Sequence, residues 1–193
     1  MMANALVYQF NAGLSGANEV GSVGGPGQGV ATLFYNTFNT ASVLDDTYSF
    51  SMSVFGLSGG SSGKAANAFH IHGAASSTEN GPVRVALDNT SLFANFNSGN
   101  VLLVGGSNIA APSFAATTTG TPNSGYPAMS FLNMLQGGLA YVNVHTTLHP
   151  AGAVRGQLLQ VAVVPEPETY AMLLAGLGLV GAIARRRKAK LTA

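Results

Sequence analysis

Residues 47–54 alternate polar and apolar without a break, with Thr47, Ser49, Ser51 and Ser53 on one side and Tyr48, Phe50, Met52 and Val54 on the other. A period of two marks a β-strand with one buried face, so the four apolar side chains are expected in a core. Gly56 and the run Gly59-Gly60-Ser61-Ser62-Gly63 end the pattern. Runs of strand type recur at 6–14, 28–35, 67–72, 83–87, 101–104, 139–146 and 153–161, with Gly, Asn and Ser between them. Eight short strands separated by turn residues predict an all-β fold, a sandwich or a barrel. The Gly-rich stretch 21–27 reads as a connection and 107–126 as a long surface loop; 129–135 has the pattern of one or two helical turns. No repeat of solenoid period is present.

The alternation stops at the C-terminal end of the chain. There the sequence runs Pro165-Glu166-Pro167, then uncharged residues from Thr169 to Ala184, then Arg185-Arg186-Arg187-Lys188. Sixteen uncharged residues span roughly 24 Å as a helix, slightly less than a ~30 Å hydrocarbon core. The arginines can snorkel, so a single membrane-spanning helix is expected, with the basic cluster on the cytoplasmic side. The triplet, the apolar segment and the basic cluster together resemble the PEP-CTERM sorting signal of Gram-negative bacteria. That resemblance implies an exported protein held in the inner membrane with its domain in the periplasm. An exosortase then processes it to a surface or extracellular form.

Charge is scarce: 8% of the 193 residues are Asp, Glu, Lys or Arg, where about 25% is usual. Five of the eight basic residues lie in the tail, which leaves Lys64, Arg84 and Arg155 against Glu19, Asp45, Asp46, Glu79 and Asp88 in the body. With no basic patch outside the tail, nucleic-acid binding is excluded. The absence of cysteine removes disulfides, thiol catalysis and thiolate metal sites. Ala3-Asn4-Ala5 is a small-x-small triplet of the signal-peptidase type, standing directly before the first strand. It is expected to be the remnant of a cleavage site whose export signal lies upstream of Met1. The chain therefore divides into 1–5, a β domain at 6–162 and the anchor at 163–193.

The histidines supply the candidate chemistry. His70 and His72 are two apart on a strand, so they share a face opposite Phe69 and Ile71. His145 shares a face with Tyr141 and Asn143, opposite Val142 and Val144. If the two strands meet, these imidazoles make a site for copper or zinc, with His149 in the following turn as a flexible fourth ligand. The competing reading is that they hydrogen-bond neighbouring loops without metal. The turn His149-Pro150-Ala151-Gly152 suits a type I turn joining the last two long strands, and it brings Arg155 towards His145 and Thr146. Arg155 is expected to clamp loop carbonyls or Glu19. No Gly-x-Ser-x-Gly elbow, phosphate loop or pair of catalytic carboxylates is present, so no catalytic residue is assigned.

Four segments in series carry a second resemblance. They are Leu14-Ser15-Gly16-Ala17-Asn18-Glu19, Phe69-His70-Ile71-His72-Gly73, Tyr141-Val142-Asn143-Val144-His145-Thr146 and Gly152-Ala153-Val154-Arg155-Gly156-Gln157. Together they resemble the chordin-type (CHRD) domain over residues 6 to 162, with Ala153 standing where family members often carry an acid. The resemblance implies an immunoglobulin-like β-sandwich distantly similar to Cu/Zn superoxide dismutases. Three functions stay open on this basis. One is a non-catalytic cell-surface or matrix domain without cofactor. The second is a copper or zinc oxidoreductase of superoxide dismutase type, and the third is an extracellular polysaccharide-binding module.

Overall fold

The computed structural model describes residues 6–21, 23–38, 42–114, 126–161 and 176–177. The chain divides into the units Met1–Val161 and Ala162–Ala193, and the fold described here is that of the first. The expected cleavage-site remnant at 1–5, the Pro165-Glu166-Pro167 triplet and the basic cluster at 185–188 lie outside the described residues, as does all but 176–177 of the expected span. Among the described residues no helix is long and apolar enough to cross a membrane.

The protein is nearly all β. Its strands in chain order are β1 (Val7–Ser15), β2 (Gln28–Asn36), β3 (Thr47–Phe55), β4 (Ala68–His72), β5 (Val83–Ala86), β6 (Ala94–Ser98) and β7 (Val101–Ala110). After them come β8 (Ser113–Phe114), β9 (Met129–Ser130), the short helix α1 (Phe131–Gln136), β10 (Tyr141–His145), β11 (Val154–Gln157) and β12 (Leu159–Gln160). One antiparallel sheet runs in the order β5-β4-β10-β11-β1-β2-β3-β7-β6, with β12 pairing β1, and β8 pairs β9 separately. The expected sandwich is thus built by a single sheet curled into a half-barrel, its inner face forming the core.

The alternation of β3 does what period-two patterns require. Tyr48, Phe50, Met52 and Val54 are buried, and they pack with Phe10, Leu33, Leu102 and Val104 from neighbouring strands. Helix α1 is too short to stand alone. Its first turn is capped by Ser130 Oγ, which accepts from the Asn133 amide at 3.2 Å, and it buries Phe131, Met134 and Leu135. The Phe131 ring meets Tyr35, Tyr48 and Phe114 edge-on. The end of the sheet at β6 is tied to the segment before β4 by one side chain. Asn97 Oδ1 accepts from the Ala65 and Ala66 amides at 2.8 and 2.9 Å, while its Nδ2 donates to the Ala66 carbonyl at 2.8 Å.

Two elements differ from the sequence pattern. Strand β7 runs on through Gly105-Gly106 to Ala110, into the segment expected to be loop, because β3 offers it a partner along its whole length past a register shift between Tyr48 and Phe50. The strand β6, Ala-Asn-Phe-Asn-Ser, has no strand-like composition and is held by pairing with β7. Replacing Phe50, 2% exposed and edge-on to Phe93 at 6.2 Å, with Ala is expected to cost about 3–5 kcal/mol in chemical denaturation. A Phe50→Ala chain as stable as the parent would contradict this packing.

Candidate metal centre

Strand β10 pairs with β4 on one side and β11 on the other, and the register fixes what meets on the outer face. Tyr141 lies opposite His72 and Gln157, Asn143 opposite His70 and Arg155, and His145 opposite Ala68. Arg155 therefore sits across from Asn143, two positions from the expected neighbourhood of His145 and Thr146. This outer face is not bathed in solvent. The segment 73–82 roofs it, so that Arg155 is 1%, Asn143 3% and His72 8% exposed.

His70, His72 and His145 come together. Their ring centroids are 5.4–5.9 Å apart, and one nitrogen from each lies within 4.8 Å of the others. Local hydrogen bonds decide which nitrogens are left for other work. A carbonyl oxygen only accepts, so His72 Nδ1 donates to the Gly81 carbonyl at 2.9 Å and His145 Nδ1 donates to the Pro150 carbonyl at 3.1 Å. Both rings are thereby held with an unprotonated Nε2, and His72 Nε2 is buried without a partner. His70 presents the opposite edge: its Nδ1 is buried and unpartnered, while its Nε2 faces Asp88 Oδ2 at 3.9 Å. Burial pushes the His72 pKa down to about 4 and also lowers those of His70 and His145, so all three rings are neutral near pH 7.

A point equidistant from three atoms 4.8 Å apart lies about 2.8 Å from each, so each ring would close by under about 1 Å to reach a ~2.0–2.1 Å metal–nitrogen bond. Three neutral imidazoles, two held by backbone carbonyls and the third facing a carboxylate, are the kind of donor set and outer shell that copper and zinc use. His149 is not in this group. Its Nδ1 donates to the Val23 carbonyl at 3.1 Å, and its ring packs beside Gly25. The turn geometry aims it across the N-terminal connection.

Arg155 organises the roof. Its guanidinium lies over the Tyr141 ring at 3.5 Å and donates to Asn80 Oδ1, the Ser76 carbonyl and the Glu79 carbonyl at 3.0, 2.9 and 2.8 Å. Tyr141 in turn stacks on His72, with centroids 5.0 Å apart and planes at 14°, and its hydroxyl accepts from the Gly81 amide at 3.0 Å. Asn18 Nδ2 donates to the Arg155 carbonyl at 2.9 Å, which docks the Leu-Ser-Gly-Ala-Asn-Glu segment onto β11. Of the two acceptors expected for Arg155, the loop carbonyls take its hydrogen bonds. Glu19 is instead reached by Asn143 Nδ2 at 3.4 Å, and its carboxylate lies so close over Gly152 that any Cβ there would collide with it. Burial, against the weaker pull of Asn143 and Arg155, raises the Glu19 pKa to about 7. Glu19 and Arg155 also line a cavity of about 590 Å³, and the histidines line a separate cleft of about 530 Å³.

Sequence reasoning missed the Gly81 and Pro150 carbonyls, the Asn80 amide and the Asp88 carboxylate. Backbone acceptors leave no trace in residue type, and only the β4–β10 register shows that Tyr141 faces His72.

Fold and site together define an antiparallel β domain with a histidine cluster under a roofed outer face. The chain belongs to the CHRD domain family, whose model matches residues 10–158. Residues 163–188 match the PEP-CTERM protein-sorting motif, the mark of Gram-negative envelope-sorted, surface or extracellular proteins handled by exosortase-type machinery. No curated protein and no solved structure matches the chain.

The Glu19 environment has a pH signature. Its folded pKa of about 7 stands above the ordinary 4.5, so the folded state binds the proton more tightly. Its contribution to stability is then fully present below about pH 4.5 and declines as pH rises to about 7, where the fold holds an ionised, part-buried carboxylate. Glu19→Gln is expected to gain stability relative to the parent between pH 4 and pH 8 in urea denaturation. A parent that gains on the variant over that range would contradict the burial of this carboxyl.

Proposed function

We propose that this exported CHRD protein is an extracytoplasmic metal-binding module that holds one copper or zinc ion on His70 Nδ1, His72 Nε2 and His145 Nε2. The observation that carries the reading is that His70, His72 and His145 each bring a ring nitrogen within 4.8 Å of the others, while His70 and His72 each bury a ring nitrogen without a hydrogen-bond partner. Leaving buried polar atoms unpaired is unfavourable by about 1–3 kcal/mol each, and a bound cation removes that penalty. Nitrogen donors favour copper(II) over zinc by the Irving–Williams order. The carboxylate nearest this reading, Asp88, stands on the Nε2 edge of His70, opposite the proposed ligand nitrogen, and binding rather than turnover is the function proposed. In the same reading the apolar segment 169–184 anchors the protein in the inner membrane, with the domain outside, until exosortase processing releases it to the surface.

The test is copper and zinc titration of the full chain in mild detergent, read by calorimetry and thermal unfolding. The parent is expected to take up one equivalent and to gain roughly 5–10 °C in Tm at a hundredfold excess over Kd. His70→Ala/His72→Ala is expected to lose both effects and His149→Ala to keep both. Equal, weak uptake by the parent and the double variant would leave the histidines a hydrogen-bonding role only.

A further inference from the structure

Three protein nitrogens do not complete a four-coordinate ion. The described residues place no fourth His, Asp or Glu in the cluster, since His149 is committed to the Val23 carbonyl and Asp88 stands behind His70 on its Nε2 side. Structural zinc sites are closed by four protein ligands; sites with three leave one position for a molecule from outside. That position has a defined surrounding here, because all three histidines line the same open cleft.

The cleft has a volume of about 530 Å³, within the ~300–1,000 Å³ range of small-molecule pockets. Beyond the histidines its walls are Asn67, Ala68, Val83, Thr146, Thr147 and Pro150. None of these is charged. Ala68, Val83 and Pro150 are apolar, and Val83 is half exposed. At the rim Thr147 Oγ1 accepts from Asn67 Nδ2 at 2.7 Å, which leaves the Thr147 hydroxyl proton free to donate. Asn67 is already occupied, its Oδ1 accepting from the Ser61 amide and hydroxyl.

Resting on the metal-ion reading above, we propose that this cleft takes a small organic monoanion, a carboxylate or phenolate with an apolar body, as the exogenous ligand of the bound ion. No Asp, Glu, Lys or Arg lines the cleft, so a bound divalent ion would set its charge and draw an anionic oxygen donor. A single negative charge is the match, because no Lys or Arg lines the cleft to hold the further oxygens of a phosphate or sulfate. The apolar body lies along Val83, Ala68 and Pro150, and in a carboxylate ligand the Thr147 hydroxyl meets the second oxygen.

The experiment uses the full chain loaded with one equivalent of copper(II), followed by its visible absorption and electron paramagnetic resonance spectra. Acetate, benzoate and inorganic phosphate are the probes. Benzoate is expected to shift the copper spectrum at about tenfold lower concentration than acetate, since its ring buries apolar area that acetate lacks. Phosphate is expected to be without effect over that range. Val83→Asp, which sets a carboxylate on the apolar wall, is expected to weaken benzoate at least tenfold. Acetate and benzoate acting alike, phosphate acting as well as benzoate, or Val83→Asp leaving benzoate unchanged would each overturn the proposal. A histidine-bound copper spectrum that no probe alters would show that the ion is closed and would overturn the ligand while sparing the metal site. Failure to bind copper at all would remove the metal reading itself.

Discussion

Arg155 is a cation with 1% of its surface exposed, on the outer face of a sheet that would otherwise be half wet. A buried guanidinium without partners is destabilising by several kcal/mol, so the chain around it has to supply acceptors in fixed positions. It does so with a loop. The Ser76 and Glu79 carbonyls and the Asn80 amide oxygen converge on the two terminal nitrogens, and the Tyr141 ring covers the guanidinium plane. The segment 73–82 is thereby drawn over the outer face, and the sheet acquires a second, polar interior opposite its apolar one.

The histidine cluster depends on that roof. The Gly81 carbonyl fixes the His72 tautomer, and Gly81 is in turn bound to the hydroxyl of Tyr141, the residue sandwiched between Arg155 and His72. Without the loop, His72 would be a solvated imidazole free to flip; beneath it, the ring is buried, neutral and aimed at His70 and His145. The four sequence segments that carry the family resemblance are thus parts of one assembly. Asn18 docks on the Arg155 backbone, β4 brings the histidine pair, β10 brings Tyr141 and His145, and β11 brings the arginine.

How much of this is legible in the sequence follows from which contacts are local. The β3 face is readable because its alternation and its burial are the same fact, and the faces of His70, His72 and His145 follow from the same period of two. β6 and the far half of β7 are not readable, since Asn95, Asn97, Gly105 and Gly106 become strand only through partners distant in sequence. The pairing of Arg155 with Asn143 in place of His145 turns on a hairpin register that turn residues alone leave two positions loose. His149 has the right residue type and sequence position for a fourth ligand, yet a backbone carbonyl at Val23 claims it.

The most direct test of this account is amide hydrogen exchange of the full chain carrying Arg155→Met, compared with the parent. The account predicts that residues 76–82 lose protection, because three acceptors and the Tyr141 stack lose their common donor, while β2 and β3 exchange as slowly as before. Unchanged protection of 76–82 in the variant would show that the loop holds itself, and would contradict the claim that the buried arginine builds the site.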